Sequence, residues 1–235
     1  MRVPLLIPIA AIFILAVLLG FSIRYALRKS TCGVRPVATG ALVFLVCVVI
    51  LEQALHLCLM FFFPKLSAII PTNPLYYALY GSCIAAGFEE AGRYVAFTQI
   101  IPECRETDDA IGYGIGHGGM ELFLLGIIGM FTVYADFTAP QTGMFWVFER
   151  SAAFVGQVAL SIVVFCGVAM QLKSVLLLAI ALHFIADIPV GLYRFGVISL
   201  PACEIVFAIS VLLCCMAARL LRRRLSDESG MSGQN

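Results

Sequence analysis

Two adjacent carboxylates and a guanidinium stand inside a long apolar run: Glu89-Glu90-Ala91-Gly92-Arg93, within Leu75 to Ile101. At the centre of a membrane helix each such group costs on the order of 2.5–3.5 kcal/mol, so their presence asks for a reason. On a helix Glu89 and Arg93 are four residues apart and share a face, and Glu90 and Arg93 are three apart. Arg93 can therefore neutralise one carboxylate while the other holds a water. All three histidines also fall in apolar runs, each four residues from an acid: Glu52/His56, His117/Glu121 and His183/Asp187. A carboxylate removed from bulk water can act as a general base, and a histidine can position a water or donate to a developing oxyanion. That is a toolkit for hydrolysing a peptide or similar bond. Zinc is the alternative: His117, His183 and an acid would supply three ligands and leave a fourth position for water. The spacing His-x-x-x-Glu is not the His-Glu-x-x-His of zinc peptidase helices.

The elements that must position these groups are membrane spans. The chain is 62% hydrophobic and 12% charged, with mean hydropathy +1.02. Soluble domains are nearer half apolar and a quarter charged. The net charge of +1 gives no case for a nucleic-acid partner. The pattern predicts an all-α, polytopic membrane bundle of about seven spans: Pro4–Leu27, Pro36–Phe63, Leu75–Ile101, Ala110–Tyr134, Met144–Met170, Ser174–Phe195 and Val197–Leu220. Residues 1–221 read as one helical bundle domain, and 222–235 as a tail that opens with Arg222-Arg223-Arg224 and ends disordered. Basic residues crowd the loops after spans one, three, five and seven, which puts the N-terminus outside and the C-terminus in the cytoplasm. The lipid bilayer, as the cytoplasmic (plasma) membrane, is the setting. The nine cysteines show no zinc-module spacing and read as small buried hydrophobes.

Counting residues at ~1.5 Å each places Glu89, Glu90, His117, Gln157 and His183 in one layer of the cytoplasmic half. Glu121 and Asp187 lie a turn further out, suited to orienting the histidines. Glu52, His56 and the Glu149-Arg150 pair form a second, outer group, read as a structural ion-pair network. Span four is dense in glycine, with Gly112/Gly116 and Gly114/Gly118 at the four-residue spacing that lets helix backbones approach closely.

At these residues the sequence resembles the YhfC-type family of intramembrane peptidases, related to the PrsW and CAAX-prenyl-protease-like membrane peptidases. The matching strings are Glu89-Glu90-x-x-Arg93, Gly116-His117-Gly118-x-x-Glu121, Glu149-Arg150 and His183-x-x-x-Asp187. The resemblance implies a multi-span peptidase in which Glu89 or Glu90 activates water. His117 and His183 would stabilise the intermediate or hold a metal, with Arg93, Glu121, Gln157 and Asp187 in support. One departure stands out: Gln157 occupies a neighbourhood where the family pattern has a histidine, and glutamine is not a typical metal ligand. The reading is a glutamate- or metal-dependent intramembrane peptidase acting on a membrane-embedded or lipid-tailed peptide. Its rivals are a catalytically inactive membrane scaffold and a proton-coupled transporter built on the same acids and histidines.

Overall fold

The computed structural model describes residues 6–133 and 140–232, and every regular element among them is helical. Helix α1 is Leu6–Lys29 and α2 is Arg35–Phe62. A short helix, Pro64–Ile69, leads to α3, which is Pro74–Val95 continued by the wider turns of Ala96–Ile100. Helix α4 is Thr107–Glu121, continued by Leu122–Ile128 and Gly129–Val133. Then come α5 (Pro140–Ala169), α6 (Ser174–Arg194) and α7 (Leu200–Ser232). The starts obey local chemistry. Asn73 accepts from the backbone N–H groups of Leu75 and Tyr76 just ahead of Pro74, and Glu106 with Asp109 forms a capping box on α4.

Six of these helices are long and apolar enough to cross a membrane; α3 is not among them. It has the length of a span but carries Glu89, Glu90 and Arg93. Many large apolar side chains face outwards, Phe13, Phe21, Phe61 and Phe62 among them, as befits surfaces bathed in lipid. The loop anticipated at 135–143 and the start of span one at Pro4 fall partly outside the described residues.

Helix α4 is the central element. It packs against α2 on one side and α5 on the other, while α3 packs against α6 and α5 against α7. The two glycine stripes of α4 explain this. A Cβ on Gly116 would overlap the Val37 carbonyl of α2, and one on Gly118 would sit 2.8 Å from the Gln157 Cβ of α5. Only hydrogen fits at either place, so α4 is held within backbone distance of both neighbours.

Two findings differ from the sequence reading. Cys32 and Cys104, which the sequence reads as small buried hydrophobes, form a disulfide with Cα atoms 5.8 Å apart. It joins the α1–α2 and α3–α4 loops, which Asp109 has already drawn together. The Asp109 carboxylate accepts from Ser30 Oγ and Thr31 Oγ1, both at 2.7 Å, and from the backbone N–H groups of Thr31, Cys32 and Glu106. A contact between loops 72 residues apart leaves no periodic trace in a sequence. Secondly, α7 continues as helix past residue 221 to Ser232, with Arg224 donating to Glu228 one turn on at 3.0 Å.

Candidate active site

Helices α3, α4, α5 and α6 each contribute to one buried polar layer. Arg93 is its centre and has no exposed surface. Its guanidinium donates to Glu90, to the Gln157 side-chain oxygen, and through Nε to Ser161 Oγ at 3.2 Å. Glu89 lies farther off, its Oε2 3.6 Å from Arg93 Nη2. The fork of a guanidinium suits this work: planar donors reach three partners on two helices at once.

The two carboxylates are treated differently. Glu90 is fully buried, and its Oε1 faces both Arg93 and His183 Nδ1, the latter at 2.7 Å. Glu89 keeps 7% of its side-chain surface open. Its Oε2 pairs with His117 Nε2 at 2.9 Å and accepts from Gln157 Nε2 at 3.1 Å. The other oxygen, Oε1, takes no hydrogen bond among the described residues. His183 is backed by Asp187, four residues along α6, with Nε2 to Oδ2 at 3.5 Å. Pro189 comes two residues later inside the helix, and its missing N–H frees the Ile185 carbonyl beside this pair.

The structure gathers the residues singled out in the sequence into one layer but pairs some of them otherwise. Glu121 does not orient His117. It accepts instead from Gln157 Nε2 at 2.6 Å and faces Arg150 at 3.6 Å, while His117 Nδ1 is buried with no partner among the described residues. The inner and outer groups are therefore not separate. Gln157 joins Glu89 to Glu121, Glu121 joins Arg150, and Arg150 donates to Glu149, making one polar chain through the bundle. Glu52 pairs with His56 at 3.4 Å and lies within electrostatic reach of Glu89 and His183. His56 in turn meets the Tyr80 hydroxyl at 2.7 Å. Sequence reasoning misses Glu204 of α7, which is buried, with Oε2 unpartnered among the described residues, and close enough to feel Glu149 and Arg150. A lone acid in the seventh apolar run was the available signal.

Three stretches of wide, π-type helical turn adjoin this chain: Leu45–Glu52 ends on Glu52, Ala96–Ile100 begins three residues after Arg93, and Leu122–Ile128 directly succeeds Glu121. Such turns arise where a helix gives up ideal winding, frequently at functional sites. They rotate the next stretch of helix and help bring residues from different helices to one level.

The donor set does not suit a metal as arranged. The imidazoles of His117 and His183 face different carboxylates, and the Arg93 guanidinium binds the carboxylates that would complete a ligand set. Among the described residues the single group of three metal-ligating atoms within 4.8 Å of one another is Cys32, Cys104 and Asp109 at the far loops. There the sulfurs are joined and the carboxylate is saturated by five donors.

Comparison with known proteins agrees with the membrane reading. The family model described as YhfC intramembrane metalloprotease matches residues 12–146 and 134–208. The chain is 26% identical over 213 residues to the uncharacterized membrane protein YhfC of Bacillus subtilis (strain 168), spanning 77% of this chain and 82% of that protein. No solved structure matches it.

Proposed function

This chain belongs to the YhfC intramembrane metalloprotease family, and on that premise we propose that it is a peptidase whose water is activated by Glu89. The observation that carries the assignment is a difference in access: each carboxylate is held through one oxygen, but Glu90 is sealed, its unpartnered Oε2 included, whereas Glu89 keeps 7% of its side-chain surface open. Glu89 takes a proton from the attacking water. The hydroxide adds to the carbonyl carbon of a peptide bond, and the same proton passes to the departing amine nitrogen. His183, fixed through Nδ1 by Glu90, exchanges the long 3.5 Å contact of its Nε2 with Asp187 for a hydrogen bond to the carbonyl oxygen, where charge develops. Glu90 and Arg93 position this histidine and set the distance to Glu89. Gln157 and His117 hold Glu89 in place. The family name implies a metal, but the ligand geometry does not favour one here.

The substrate is a membrane-embedded or lipid-tailed peptide, because the chain offers its chemistry only at bundle depth. We count α3 as a seventh span, with the N-terminus outside and the basic end of the bundle in the cytoplasm of a plasma membrane. Residues 1–221 act as the bundle and 222–235 as its basic cytoplasmic extension.

The test is cleavage of transmembrane and lipid-tailed peptides by purified protein in lipid, comparing wild type with Glu89→Gln, Glu90→Gln and His183→Ala, each with and without a chelator. Cleavage by wild type that survives chelation and is abolished in Glu89→Gln is the expected result. Loss on chelation with recovery on adding zinc would overturn the glutamate mechanism. Absence of cleavage by folded wild-type protein would point to a scaffold.

A further inference from the structure

A groove of about 570 Å³ opens on the outer surface of the bundle between α1, α4, α5 and α7. This is within the ~300–1,000 Å³ range of small-molecule sites. It belongs to none of the polar chemistry above. Its floor is apolar and buried, formed by Ile115 of α4 and Phe154 of α5. Its walls are Phe21 of α1 and Ala218 of α7. At one end it changes character, and Tyr25, Arg219 and Arg222 line it there. Arg219 and Arg222 are three residues apart on α7, share a face and are exposed, and among the described residues neither meets a carboxylate. This is the same end of the bundle that carries Arg24, Arg28 and Lys29.

We infer that this groove binds an anionic phospholipid, with an acyl chain along Ile115 and Phe154 and the phosphate between Arg219 and Arg222. The shape and the charge each ask for part of that molecule. An apolar trough in the wall of a membrane protein is filled by hydrocarbon, and a pair of unneutralised arginines at its mouth selects a lipid with a negative headgroup. Arginine is suited to the phosphate because its donors match two oxygens together. The floor links the site to the centre of the molecule: Phe154 packs against Gly118 beside Gln157. A chain lying on Phe154 therefore bears on the α4–α5 seam that carries Gln157. The inference stands whether or not the protein is a peptidase.

The experiment is native mass spectrometry of the full chain in detergent, titrated with phosphatidylglycerol or phosphatidylcholine. Three variants accompany wild type: Arg219→Gln with Arg222→Gln, Ser22→Trp to fill the groove from the α1 side, and Arg223→Gln with Arg224→Gln as a charge-matched control outside it. Wild type should retain phosphatidylglycerol about 30-fold more tightly than the first variant, the combined worth of two arginines beside an anionic headgroup. Ser22→Trp should lose both lipids, and the control pair should bind as wild type does. Equal binding of the two lipids would overturn the inference, as would equal losses in the groove and control pairs. Displacement of the lipid by inorganic phosphate alone would also overturn it, reducing the site to a surface anion contact.

Discussion

Replacing Gln157 by leucine gives the sharpest test of the buried layer. The side chain is close in size but makes none of the three bonds that Gln157 makes, to Arg93, Glu89 and Glu121. Side-chain hydrogen bonds inside membrane bundles are worth ~0.6–1.7 kcal/mol each. Three of them give about 2–5 kcal/mol, and the upper part of the range is favoured because all three partners are charged and two would lose a donor while buried. Ser161→Ala is the internal scale, since Ser161 takes only the 3.2 Å bond from Arg93 and gives one to its own helix. It should cost about 1 kcal/mol on the same basis. The assay is reversible unfolding of the purified protein in bicelles, read by steric trapping. A cost for Gln157→Leu below about 0.5 kcal/mol, or no larger than that of Ser161→Ala, would refute the idea that Gln157 ties the layer together. Gln157→His extends the test. One imidazole cannot accept from Arg93 and also donate to two carboxylates, so this variant should lose stability and should not gain stoichiometric zinc by metal analysis. Zinc uptake with retained stability would show that the layer is a metal site lacking one ligand.

Gly116→Ala should force α2 from α4, because the new methyl overlaps the Val37 carbonyl; a loss of about 1–3 kcal/mol in the same unfolding assay is expected. Asp109→Ala removes five hydrogen bonds to the loops that flank the disulfide. At ~1.5–3 kcal/mol for hydrogen bonds to a charged group the loss should exceed that of any single bond, and proteolysis should cut first at residues 30–35 or 101–106. If the basic end faces the cytoplasm, an impermeant maleimide added to intact cells should leave Cys32 and Cys104 unlabelled, even after reduction. Labelling before the membrane is permeabilised would reverse the orientation.

Much of this arrangement was legible from the order of residues. Apolar runs of span length and an i,i+4 face recover the bundle, the Glu89–Arg93 and His183–Asp187 neighbours, and the close packing of α4. These are consequences of one helix at a time. The hidden part depends on how helices rotate against each other. His117 and Glu121 share a face by spacing, yet His117 turns to Glu89 and Glu121 to Gln157, each on another helix. The wide turn that begins at Leu122, just after Glu121, helps set that divergence, and nothing in the string Leu122–Ile128 announces it. Depth counting also split Glu149 and Arg150 from the inner layer, because it could not foresee that Glu121 would reach Arg150. The Cys32–Cys104 link lay beyond any pattern of spacing, since it rests on two loops meeting through Asp109.

The inner layer has one guanidinium for two carboxylates, and that shortage explains its form. Arg93 lies close against Glu90 and only 3.6 Å from Glu89. Glu90 is thereby committed as half of a buried ion pair, and breaking such a pair by removing one partner is expensive. Glu89 must be met by other donors, which is why a histidine and a glutamine converge on its Oε2. A glutamine does this better than a histidine would. It can accept from Arg93 with its oxygen while its nitrogen donates to both Glu89 and Glu121. The glutamine at 157 is thus a residue that the charge arrangement calls for. The same geometry turns the two imidazoles towards separate carboxylates and leaves each carboxylate with one oxygen unpartnered among the described residues. Glu90 is sealed and Glu89 keeps 7% of its side-chain surface open, which is why the proposed mechanism gives the water to Glu89.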